Sequence, residues 1–168
     1  MNTSDRTGCN HRKLTAKELR VADANLDVGE IAVLEMARYM FQSFARPETQ
    51  GWIIAVFRAE HTFPANVAAD IALKTLKFVQ GMRESRRSCF QFNSPVCVDC
   101  ARILTEHERQ LLGILVALRC GRVSQARVHA MVLCEGNETE YLLAAAQNLA
   151  DALGERLLNG YNLRLEAV

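Results

Sequence analysis

Apolar positions recur every three to four residues over most of this chain, and that period predicts helices almost throughout. Thr15 and Glu18 have the spacing of a capping box, which predicts a short helix over 15–25. Asp27 is placed to cap a longer helix over 28–45. Ile31, Leu34, Arg38, Phe41 and Ala45 lie on one side of it, and Val33, Ala37, Met40 and Phe44 widen that face enough for two neighbours. Pro47 ends it. A third helix is expected over 52–61 with Ile53, Val56 and Phe57 inward. A fourth starts at Pro64, with Val67, Ile71, Thr75, Phe78 and Met82 at helical spacing and Lys74 and Lys77 outward. It ends in the basic run 83–88, which reads as a solvated helix end favoured by the helix dipole, with phosphate binding as the lesser alternative.

The segment 89–93 reads as a linker. Beyond it, Ser94 and Pro95 have the character of a helix start, and Thr105 with Glu108 forms a second capping box. The helix begun there is expected to reach Cys120, where Gly121 suits a left-handed cap. Ser124 is placed to cap a helix carrying Val128, Met131 and Val132 as far as Gly136, and a last helix to about 158 carries Leu142, Ala146, Leu149 and Leu153. Tyr161, Leu163 and Leu165 alternate with polar residues, so the end is a short strand or an extended tail. The expected fold is all-α: a multi-helix bundle with a C-terminal cysteine-rich helical module. Its divisions are a tail over 1–13, an N-terminal helical bundle over 14–88 and the module over 89–168, packed together as one compact unit.

Composition changes this picture little. The 168 residues are 49% apolar and 23% charged with a net charge of +1, which is ordinary for a globular chain and gives no global attraction to nucleic acid or membrane. The polar opening lacks a signal-peptide core, and no run is long and apolar enough to span a membrane. A soluble cytoplasmic protein is therefore expected. There, thiols stay reduced, so six cysteines point to metal ligands, reactive thiols or small buried residues rather than disulfides.

The chemistry concentrates in Cys97 and Cys100, whose C-x2-C spacing aims two sulfurs one way and supplies half of a tetrahedral zinc site. If the helices on either side of Gly121 form a hairpin, Cys134 returns toward that pair, and Cys89 is close enough in sequence to fold back. The expected metal set is Cys89, Cys97, Cys100 and Cys134, with His107 or His129 as substitutes and a closed structural zinc as the cofactor. Unliganded buried cysteines remain an alternative. So does a redox pair at Cys97 and Cys100 near a helix start, although no βαβ pattern accompanies it. Cys9 and His11, spaced C-x-H, read as tail residues without a role, and Glu106, His107 and Glu108 as an exposed first turn.

No H-E-x-x-H, glycine-rich phosphate loop or nucleophile elbow occurs, so catalysis has no motif behind it. Leu104, Thr105, Glu108, Leu111 and Leu112 form an L-T-x-x-E-x-x-L-L run that resembles the opening of bacterial winged helix-turn-helix regulators, over about 104–165. The resemblance implies DNA binding, with the last helix as recognition helix and 160–165 as wing. That helix, however, carries Arg156 as its only basic residue, beside Asp151 and Glu155. The expected function is a small regulatory or interaction protein with a structural zinc. It would bind a macromolecular partner, protein or DNA, without membrane association, and self-association as a homodimer stays open. A thiol-redox or redox-sensor protein is the alternative.

Overall fold

The structure is a computed structural model that describes residues 14–154. Those residues form a helical bundle of α1 (Val28–Ala45), α2 (Gly51–Thr62), α3 (Ala65–Ser85), α4 (Val98–Ala101), α5 (Glu106–Arg119), α6 (Val123–Leu133) and α7 (Glu140–Leu153). One small antiparallel ladder joins β1 (Leu19–Arg20) to β2 (Ile103–Leu104), pairing Leu19 with Leu104 and Arg20 with Ile103.

Local signals place most boundaries. The Asp27 side chain accepts the Glu30 amide, and the Glu30 carboxylate accepts the Asp27 amide, so α1 starts where its capping box lies. Thr105 and Glu108 do the same for α5. Gly121 follows α5 with φ of 69°, a conformation that glycine adopts without strain. Two starts differ from expectation. Ser94 and Pro95 lead into a turn and α4 begins only at Val98, and Arg122, not Ser124, precedes α6 without a side-chain cap. The segment 15–25 is not a helix: Thr15 and Glu18 bond to each other across a turn, then β1 pairs with β2 and a short 3-10 turn follows. The capping-box spacing is equally satisfied by a β-turn. Nothing after it offers a long apolar stripe, so the backbone partner on β2 decides the outcome.

One core spans both sides of the 89–93 linker. Val33, Met36 and Met40 of α1, Ala55 and Ala59 of α2, Ile71, Phe78 and Met82 of α3, Leu111, Ile114 and Leu115 of α5, Ala130 and Leu133 of α6, and Leu142, Ala146 and Leu149 of α7 share it. A satellite of Leu34, Leu104 and Leu112 with Val21, Ala24 and Leu26 lies by the ladder. Phe90 and Phe92 of the linker pack on Phe41, with ring centroids at 4.3 and 5.4 Å.

In α2 the inward residues are small. Gly51, Ala55 and Ala59 are buried, whereas Phe57 and Trp52 face solvent and Ile53 and Val56 are half-buried. The cause is the closeness of α1: a Cβ on Gly51 would lie 2.4 Å from the Tyr39 carbonyl oxygen, a backbone atom that cannot swing aside. Gly51→Ala is therefore expected to destabilise the chain by about 1–3 kcal/mol, read as a lower midpoint in urea. An unchanged midpoint would show that α2 can move off α1.

Candidate metal centre and buried ion pairs

Cys97 and Cys100 occupy the tight corner just before β2. Cys97 precedes the single turn of α4, and its Sγ accepts the Cys100 amide at 3.4 Å while its carbonyl accepts the Ala101 amide at 2.8 Å. Both residues are half-buried.

The other expected ligands lie elsewhere. The α5–α6 hairpin forms, but its return brings Cys134 against the end of α3 rather than to α4. The Arg86 guanidinium donates to the Leu133 carbonyl, Glu135 takes the amides of Arg87 and Ser88 at 3.2 Å each, and the Ser88 hydroxyl also bonds Glu135. Cys134 is fully buried there. Burial pushes its thiol up from the usual range, only partly offset by the Ser85 hydroxyl, so it stays protonated, unlike a metal-bound thiolate. Cys89 is exposed on the linker, and the His129 ring sits 2.7 Å from the Gln110 side-chain oxygen. Among the described residues no three His, Cys, Asp or Glu side chains stand together as a metal ion would need. Cys89, Cys97, Cys100 and Cys134, with His107 or His129, are thus not gathered into one site.

His107 has a structural task instead. Its Nδ1 accepts the Gln91 amide at 2.8 Å, and its Nε2 lies 3.2 Å from a terminal nitrogen of the Arg86 guanidinium. Phe90 lies against the ring at 5.5 Å. Burial first, and then the Arg86 guanidinium, push the His107 pKa below 6.5; burial does the same for His129. The unfolded chain therefore binds protons more readily at both positions, and stability is lost as pH falls below about 6.5. The melting temperature should drop between pH 7.5 and 5.5, and less so in His107→Gln. An identical drop in that variant would remove His107 from the account.

The densest polar cluster is one that sequence reading misplaced. Glu108, expected to be exposed, is 1% exposed. The Arg38 guanidinium, 2% exposed, forms a two-point pair with it, Nε to Oε1 at 2.7 Å and a terminal nitrogen to Oε2 at 3.0 Å. Its two terminal nitrogens also donate to the carbonyls of Ala101 and Ile103, at 2.6 Å each. Glu108 also accepts the amides of Asn93 and Thr105, and the Asn93 side chain donates to the Ile103 carbonyl. Helix α1, the linker, the segment after Cys100 and α5 thus meet at one ion pair. A signal was available, since Arg38 stands within the apolar stripe of α1, where an unpaired charge is too costly to keep. A second pair ties the other end of α5 to the start of α1: Arg119 bonds Asp27 at 2.6 Å and Glu30 at 2.9 Å.

The surfaces are uneven. Helix α6 buries only Ala126, Ala130 and Leu133, and leaves Val128, Met131 and Val132 exposed at i, i+3 and i+4. Arg122 and Arg127 flank them, and no acidic residue occurs between Cys120 and Cys134. Helix α7 turns Glu140, Gln147 and Asp151 outward and contains no Lys or Arg. Arg156 and the wing positions 160–165 of the winged-helix resemblance, the terminal strand among them, lie outside the described residues. No helix among those residues is long and apolar enough to cross a membrane. No family model, no curated protein and no solved structure matches this chain.

Proposed function

We propose that this protein is a regulatory interaction module that docks an acidic amphipathic segment of another protein on α6, with a structural zinc at the Cys97–Cys100 corner. The observation that carries the reading is the exposed Val128, Met131 and Val132 stripe between arginines on a helix with no acidic side chain. An apolar stripe seeks burial, and its basic borders favour a partner whose own stripe is bordered by carboxylates. DNA is the less favoured partner because α7 offers no cation to phosphate.

The test is a fluorescence titration of the full chain with a synthetic helical peptide that has a leucine stripe flanked by glutamates. Saturable binding that weakens with salt and falls at least tenfold in Met131→Glu is expected. Three results would overturn the reading: no saturable binding, equal binding by the variant, or steep salt-dependent binding of duplex DNA unaffected by the peptide. Sedimentation showing a stable homodimer that Met131→Glu dissociates would also overturn it, because a second copy would then cover the stripe.

A further inference from the structure

We propose that a second copy of this chain completes the zinc site that Cys97 and Cys100 begin, so that one metal held by four thiolates joins two chains at the corner before β2. The inference rests on the reading that this corner binds zinc, and it names the missing half of the site.

One chain supplies two ligands. Among the described residues no three His, Cys, Asp or Glu side chains stand together, so neither Cys89, Cys134 nor a histidine of those residues joins the pair. Cys134 is fully buried with its thiol held protonated, and His107 and His129 are engaged by the Gln91 amide and by Gln110. The pair itself suits chelation. The Cys97 Sγ lies 3.4 Å from the Cys100 nitrogen across the single turn of α4, so both sulfurs leave one side of that turn. This fits one edge of a zinc tetrahedron, where Zn–S bonds of about 2.3 Å set the sulfurs about 3.8 Å apart. The opposite edge has the same shape. An identical pair from a second chain supplies it when a two-fold axis passes through the metal.

The corner also has the surface of a contact. Val96 and Val98, on either side of Cys97, are 67% and 69% exposed, so the tip that carries the sulfurs has an apolar rim in water. The tip is held in place from behind. Arg38 binds the carbonyls of Ala101 and Ile103, the Asn93 side chain binds the Ile103 carbonyl, and the Val21 amide binds that of Arg102. When two such corners meet about a two-fold axis, the valines of one pack on those of the other. The charges are self-complementary. Asp99 lies between the cysteines and Arg102, exposed, lies just beyond them. The axis reverses their order in the second copy, so the carboxylate of each chain faces the guanidinium of the other. Four thiolates on one divalent ion carry a net charge of about −2. Arg102 and the exposed Arg20, whose backbone pairs with Ile103, supply cations beside it. Area decides what holds the pair together. Two valines per copy fall far short of the roughly 1,200 Å² that a stable interface buries, so the contact depends on the metal.

On binding, four thiol protons pass to solvent and no coordination position is left for water, so the zinc is structural. The test is native mass spectrometry and sedimentation of the full chain with zinc chloride. A dimer holding one zinc is expected, returned to monomer by EDTA. X-ray absorption at the zinc edge should show four sulfurs at about 2.3 Å. Cys97→Ser and Cys100→Ser should each lose both the zinc and the dimer with far-UV ellipticity retained. Val98→Glu keeps every sulfur and should raise the dimer dissociation constant at least tenfold. One zinc on a monomeric chain overturns the second copy while leaving zinc at the corner in place, and a shell that includes nitrogen does the same. A dimer that survives EDTA or Cys97→Ser overturns the metal bridge. Wild type that holds no zinc overturns both the inference and the zinc reading beneath it.

Discussion

Glu108→Gln is expected to destabilise the chain by about 3–5 kcal/mol, because it leaves the buried Arg38 guanidinium without a counter-charge. Glutamine keeps the shape and can still accept one bond, so the loss reads out charge rather than volume. Arg38→Met should cost a similar amount for the opposite reason: the Glu108 carboxylate stays buried on the Asn93 and Thr105 amides with no cation beside it. The double variant Arg38→Met with Glu108→Gln should lose clearly less than the sum of the two, since neither charge then remains. Recovery will be incomplete, because Arg38 also satisfies the carbonyls of Ala101 and Ile103, which methionine cannot do. Urea denaturation of all four proteins measures this. Strict additivity would show that the two side chains do not act as a pair.

Phe78→Ala is the second large effect, expected at about 3–5 kcal/mol. Phe78 is fully buried in α3 and belongs to the core shared by the helices on both sides of the linker. Removing the ring forfeits its transfer free energy and opens a cavity between helices whose backbones already approach closely. One such approach is at Gly81, where a Cβ would meet the Leu142 Cα at 3.0 Å. Collapse around the void is therefore limited. The midpoint should fall without a change in the denaturant slope. A loss below about 1 kcal/mol would mean that α3 and α7 can close on the space.

Much of the fold was legible because its signals are local. The Asp27 cap, the Thr105–Glu108 box, Pro47, Pro64 and Gly121 mark boundaries that the structure keeps. What was misread depends on neighbours that a local pattern does not contain. The inward face of α2 is small because α1 lies against it, so Phe57, which the helical pattern turns inward, is left outside. The stripe Val128, Met131 and Val132 was read simply as helical, and it faces solvent because α6 packs through Ala126, Ala130 and Leu133. Glu108 sits in a first turn, where acidic residues are ordinarily solvated. Its burial follows from Arg38, 70 residues earlier. For the candidate site, the Cys97–Cys100 pair was visible from spacing alone, but its companions depend on where the hairpin ends, and the hairpin ends at α3.

The segments before and after the 89–93 linker are expected to unfold as one cooperative body, joined by Arg38–Glu108, Arg119–Asp27 and a shared core. Trp52, the single tryptophan, stands in α2 and reports the N-terminal side alone, whereas far-UV ellipticity reports every helix. Urea unfolding followed by both signals should give coincident transitions with one midpoint and one slope. A Trp52 transition displaced from the ellipticity transition would mean that the two sides unfold separately, and would contradict the claim.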